Sequence, residues 1–284
     1  MKPIYQLIFS SILLLLGLYA FKNDLRTELQ GAGLGGLVYL IVMLINKVIS
    51  NRRRLRFILG CLRLSVLKQK IRFSMAYLYL IRVDGEYLLI KNEKQKNYQP
   101  VGGKYKFLPG ASQKISERFS LGDDETMPAN TTNNDDIAVM APALRAVAFE
   151  DWFNSGEDRE TSHWREFYEE LVEGKGERIL EPKNFPHIMY RKITRVITPL
   201  HWDEYFKCYT RMHFDILELI PNEEQLKELK ATKTKTKNSE KGDYFEWFSI
   251  RQILSLGYDP SDGQTNPIAK HTKWAIEKKY SKVK

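Results

Sequence analysis

Two blocks of nearly unbroken apolar sequence open the chain. Ile4 to Ala20 is relieved only by Gln6, Ser10 and Ser11, and Ala32 to Ile45 continues to Ile49 past Asn46 and Lys47. A helix of about 20 apolar residues crosses the hydrocarbon core of a bilayer. The blocks therefore predict spans at about 4–21 and 32–49, joined by the short charged stretch Lys22 to Gln30, so residues 1–50 form a transmembrane hairpin. No A-x-A cleavage pattern supports a signal peptide instead. The period then changes. Leu55, Leu59, Leu62 and Val66 recur at helical spacing, with Arg56, Arg63 and Lys70 on another face. This predicts a basic linker helix over 51–72, continuing from the membrane or lying on anionic lipid.

From Phe73 the pattern becomes strand-like. Phe73 to Val83, the turn signal Asp84-Gly85 and Tyr87 to Ile90 predict a β-hairpin. The stretch from about 104 to 136 is polar and reads as an irregular insertion. Ile137 to Val147 reads as a strand or short buried segment. A helix follows around 164–171, capped by Thr161 or Ser162 and stopped by Gly174 or Gly176. Strands within 189–200 and 205–220, a short acidic helix at 223–231, a flexible lysine-threonine loop at 232–237, a strand at 245–248 and helices at 249–256 and after Pro267 complete the chain. Mixed strands and helices over 73–284 make an α+β domain with a mixed sheet and flanking helices.

Charge sharpens the division. The net charge is +9, and Asn51 to Arg72 alone carries eight basic residues with no acidic one. The remainder is near neutral, which argues against a DNA-coating protein. By the positive-inside rule the basic cluster holds its end of the hairpin in the cytoplasm, and so both termini. The cysteines, Cys61 and Cys208, have no metal-type spacing and suit a reduced compartment.

Candidate chemistry centres on Arg165-Glu166-Phe167-Tyr168-Glu169-Glu170-Leu171. On a helix, spacings of three and four set Glu166, Glu169 and Glu170 on one face. Three convergent carboxylates suit Mg²⁺, a cation that takes oxygen ligands. A solvated acidic face is the plainer alternative. Lys104 and Arg159 are candidates to meet phosphates, as is Arg191, and Trp247 is a candidate to stack on a base; packing and solvated charge are the competing roles. His163, beside the acidic helix, reads as a packing or surface residue.

Taken with Pro100-Val101-Gly102-Gly103, and with Glu157 eight residues before Arg165, the heptapeptide resembles the Arg-Glu-x-x-Glu-Glu centre and Gly-Gly turn of the Nudix box. The segment between Gly103 and Arg165 is longer than in ordinary Nudix hydrolases. Asp151 and Val172 stand where glycines are usual. With two N-terminal spans ahead of it, the chain is similar to the membrane-anchored Nudix effectors of CBASS anti-phage systems. The resemblance implies that the domain senses a cyclic nucleotide made by a partner CD-NTase. The membrane helices would then oligomerise with other copies, act on lipid and breach the inner membrane. The alternative it implies is a membrane-tethered, Mg²⁺-dependent hydrolase of nucleoside diphosphate derivatives, with Glu166, Glu169 and Glu170 catalytic and Glu157 or Glu160 as a further ligand or base.

Overall fold

Strand β1 (Lys70–Leu80) is apolar along most of its length, and all but its ends are buried. Such a run fits a central strand covered on both faces. In the computed structural model it lies between parallel β10 (Cys208–Leu219) on one side and antiparallel β7 (Ala138–Pro142) and β5 (Gly102–Lys104) on the other. Strands β8 (Tyr190–Ile197) and β9 (His201–Asp203) pair with β10, and β6 (Gly122–Asp123) pairs with β7, completing a seven-stranded mixed sheet. The structure describes residues 10–12, 23–92, 95–124, 135–174, 178–238, 244–258, 266–277 and 279. The chain divides into two units, Met1–Leu59 and Gly60–Lys284.

The hairpin turn falls where expected but joins other strands. Asp84 and Gly85, both at positive φ, connect β2 (Arg82–Val83) to β3 (Glu86–Asn92). These strands belong to a second sheet, in which β3 also pairs with β4 (Asn97–Gln99) and β11 (Phe245–Ser249). Alternation along β1 and β10 separates two layers. Ala76, Leu78, Phe214 and Ile216 pack with Trp274 and Ala275 of the last helix, Lys270–Ile276. On the opposite face, Phe73 meets Phe149 and Tyr79 meets Phe167.

Several expectations need correction. Ile137 to Val147, read as a strand or short buried segment, is a strand only over Ala138–Pro142; from Ala143 the chain forms a helix to Ser155 with Phe149, Trp152 and Phe153 buried. The predicted insertion is not structureless. It holds a helix over Ala111–Phe119, whose Phe119 packs on Phe149, while 125–134 lies outside the described residues. The lysine-threonine stretch continues the helix that begins at Glu223, through to Asn238.

In the N-terminal unit, most of the first predicted span lies outside the described residues; residues 10–12 are helical. Helix α1 (Asn23–Ser50) begins inside the stretch read as a connector. Ser10 is buried, and a side chain at Gly36 would collide with it. The small residue there allows close approach. Among the described residues no single helix is long and apolar enough to cross a membrane. The pair Leu34–Ser50 and Arg52–Val66, bent by 71°, passes together by length and composition.

Helix α2 (Arg52–Val66) lies within the predicted 51–72 but stops short of it, because β1 begins at Lys70, and the protein buries a second apolar stripe beside the one read from the sequence. Phe57, Cys61 and Leu64 are buried, whereas Leu55, Leu59, Leu62 and Val66 are exposed. Both stripes satisfy helical periodicity, so spacing alone does not choose between them.

Candidate functional site

The glycine pair and the acidic helix fit together through two close approaches. Gly102 has φ +148°, and a Cβ there would strike the carbonyl of Tyr77 on β1. Its N–H donates to Glu170 Oε2 at 3.0 Å. A Cβ on Gly103 would stand in the carboxyl group of Glu166. Glycine is thus needed at both positions for the box segment to lie against β5.

The box segment is not one α-helix, as the spacing predicted. A short α-helix covers only Trp164–Phe167 and passes into a π-helix over Tyr168–Glu173, ended by Gly174 at positive φ. His163 is the N-cap residue and its own side chain makes no cap hydrogen bond, while Ser162 Oγ accepts from the Trp164 N–H at 3.4 Å. The π turn changes the directions in which the acidic side chains leave the backbone. Arg165 becomes the hub. Its Nε lies 3.2 Å from Glu160 Oε1, and its Nη1 lies 2.5 Å from Glu166 Oε1 and 3.4 Å from Glu169 Oε1. Its Nη2 donates to the Lys104 carbonyl at 3.0 Å. Burial works against the guanidinium charge, but Glu160 and Glu166 outweigh it and raise the Arg165 pKa. Glu157 is exposed; the glutamate brought to Arg165 is Glu160.

The ligand candidates are scattered. The Lys104 ammonium lies 3.9 Å from Asp136. Arg159 is buried, donates to the carbonyls of Phe153 and Glu160, and lies over the Tyr105 and Phe153 rings. Trp247 is buried in the second sheet, which favours the packing role.

A polar network that sequence reasoning did not assemble lies behind the box. Asp215 on β10 accepts from Tyr105 Oη at 2.6 Å and from Arg195 at 2.6 and 2.7 Å. Lys192 Nζ is 2.8 Å from the same carboxylate. Lys192 and Arg195 are three apart on one strand, yet both reach Asp215. The β8–β10 register shifts between Ile216 and Leu217, which makes Ile193 the unpaired residue. This β-bulge restores both cations to one face. Tyr105 Oη also lies 2.6 Å from His163 Nε2. Its own proton goes to Asp215, so Nε2 carries the imidazole proton, and Nδ1 accepts from Tyr190 Oη at 3.3 Å. Burial drives the His163 pKa down to about 4, so the ring is neutral near pH 7. For Asp215, burial is outweighed by Arg195, Lys192 and Tyr105, and its pKa is lowered. Farther along β10, Glu150 Oε1 accepts from Arg211 Nε and His213 Nε2, each at 2.7 Å. One sequence signal exists for this network: Arg211, His213 and Asp215 alternate with apolar residues on a strand that otherwise reads as core.

Carboxylate oxygens are the right donors for Mg²⁺. Their arrangement is not. Among the described residues no group of three His, Cys, Asp or Glu could hold a metal ion. The predicted convergence of Glu166, Glu169 and Glu170 on a cation is replaced by the Arg165 hub and the Gly102 contact.

No curated protein and no solved structure matches the chain. A family model, the SMODS-associated NUDIX domain, matches residues 70–276. That range runs from the first residue of β1 to the last residue of the final helix. It takes in the glycine pair, the box segment and the Asp215 network, and leaves only the N-terminal segments and the extreme C-terminus outside. The chain belongs to the SMODS-associated NUDIX domain family.

Proposed function

We propose that this protein is the effector of a CBASS-type anti-phage system. Its Nudix domain senses a cyclic nucleotide made by a partner CD-NTase. The N-terminal helices sit in the inner membrane with both chain termini cytoplasmic, and copies of the chain assemble to disrupt that membrane and kill the infected cell. The family assignment supports the defence context. Burial of Ser10 against Gly36 supports a helical hairpin at the N-terminus.

The observation that favours sensing over hydrolysis is the engagement of the box carboxylates. Glu166 and Glu169 pair with Arg165, and Glu170 accepts from Gly102. Together they hold the box against β5. A ligand acts in this scheme by binding one of two domain states more tightly.

Full-length protein in dye-loaded liposomes tests the reading against a panel of cyclic di- and trinucleotides. Leakage should follow one of them, with the nucleotide recovered intact. Consumption of the ligand with Mg²⁺ and no leakage would sink the proposal. It would favour the second reading, a tethered Mg²⁺-dependent hydrolase of nucleoside diphosphate derivatives. Membership of a NUDIX domain family is the observation on its side. In that case Glu169→Gln and Glu170→Gln should abolish turnover.

A further inference from the structure

We infer that the cleft at the start of the box segment, lined by Ser162, Trp164, His187 and Tyr190, binds a nucleotide, with Trp164 taking the base and a phosphate reaching Lys192, which stands beyond the lining, two residues from Tyr190 on the same face of β8. The inference rests on the nucleotide-sensing reading and assigns it a place. None of Lys104, Arg159 and Trp247 lines this cleft.

The cleft is shallow and open to solvent, with a volume of about 420 Å³. Its walls offer two aromatic rings and an imidazole. Trp164 is stacked on Tyr168 at 4.4 Å between centroids, which fixes the orientation of the indole. Base stacking on a pre-oriented aromatic ring is a sequence-tolerant source of nucleotide affinity.

Charge supplies the second argument. Tyr190 and Lys192 share the face of β8 that carries Arg195, because the bulge at Ile193 corrects the register. Asp215 is already met by both arms of Arg195 and by Tyr105. Lys192 is a second cation on that single carboxylate, and its side chain is 45% exposed, against 3% for Asp215. Turning Lys192 toward a phosphate leaves Asp215 paired and moves an ammonium that is already half in solvent. A surface-facing ion pair of this kind is cheap to exchange.

The third argument is connectivity. Tyr190 Oη bonds to His163, His163 to Tyr105, and Tyr105 to Asp215. A nucleotide that packs on Tyr190 and draws Lys192 away from Asp215 touches both ends of one hydrogen-bonded chain. That chain passes through His163, the residue on which the box segment begins.

The experiment is calorimetric titration of the full-length chain in detergent with cyclic di-AMP, cyclic di-GMP, cyclic GMP–AMP, cyclic tri-AMP, ATP and ADP-ribose. Trp164→Ala and Lys192→Gln should each weaken the tightest of these by about tenfold or more, as loss of a stacking or phosphate contact does. Lys104→Gln should leave it within about twofold. Lys192→Gln alters a half-exposed side chain and keeps the test sound if Trp164→Ala fails to fold. Cyclic-nucleotide binding unchanged in both cleft variants would overturn the site while leaving sensing intact. Binding of ATP or ADP-ribose alone, lost in both variants, would uphold the site and end the cyclic-nucleotide reading. Binding of none of the six would end both.

Discussion

At Gly103 there is no room for a methyl group, because the Glu166 carboxyl stands where a Cβ would go. Gly103→Ala should therefore push the box segment off β5 and cost about 1–3 kcal/mol, as overpacking commonly does. Denaturant unfolding measures this, and an unchanged midpoint would contradict the close approach. Titration adds a second residue-scale prediction. Burial opposes the Glu150 charge, but His213 and Arg211 hold its pKa at about 2 against a usual 4.5. A lowered carboxylate contributes stability that is full above 4.5 and lost as pH falls toward 2. His163 acts in the window above, with a folded value of about 4 against 6.5. There the unfolded chain takes up a proton that the folded chain refuses, so stability falls as pH drops from 6.5 toward 4. Unfolding free energies followed from pH 6.5 to 2 should decline throughout, and Glu150→Gln should flatten the lower part of the curve. A flat profile between 6.5 and 4.5 would remove the buried-imidazole account.

At the scale of elements, α2 presents two apolar stripes with opposite tasks. Leu64 is 3% exposed, and Leu64→Ala should destabilise by about 2–5 kcal/mol. Leu59 and Leu62 are 64% and 53% exposed, so Leu59→Glu and Leu62→Glu should stay within about 0.5 kcal/mol of the parent. If this outer stripe lies on lipid, as its basic neighbours indicate, those same variants should speed amide exchange over residues 52–66 of the full-length chain reconstituted in anionic vesicles. Exchange unchanged by the substitutions would show that the stripe does something else. The bulge in β8 makes a parallel case. Deleting Ile193 should give a regular ladder in which Lys192 stands two residues from Arg195, so Tyr190 and Lys192 keep the face of Asp215. Nucleotide binding and the β-rich circular dichroism signal should both survive the deletion; loss of binding would mean that the bulge itself shapes the site.

On the scale of the whole molecule, a basic helix stands at the passage from an apolar N-terminal unit to a Nudix domain whose box is drawn in by arginine and glycine contacts. In the proposed reading this chain converts ligand binding into an effect at a membrane. Arg165→Ala should release Glu166 and Glu169 and loosen the box. Because Glu166 is buried, leaving its charge without this partner should cost about 3–5 kcal/mol. The loss should show as a lowered unfolding temperature with the sheet otherwise intact; an unaltered temperature would mean the hub contributes nothing to stability.

The sequence by itself determined the order of parts: apolar blocks first, a basic helix next, then an α+β domain marked by Gly102-Gly103 and Arg165 to Glu170. Those features are local, since hydropathy, period and motif spacing are properties of neighbouring residues. Tertiary structure decided which stripe of α2 is buried, because two faces had equal periodicity and only packing distinguishes them. It also decided where the acidic side chains go. A π turn and an arginine redirected Glu166 and Glu169, and a glycine N–H took Glu170. The gathering of Tyr105, His163, Lys192, Arg195 and Asp215 had no sequence spacing to announce it. It depends on a strand pairing between distant segments and on one extra residue, Ile193, in that pairing. Register is a relation between strands, and it exists only once they meet.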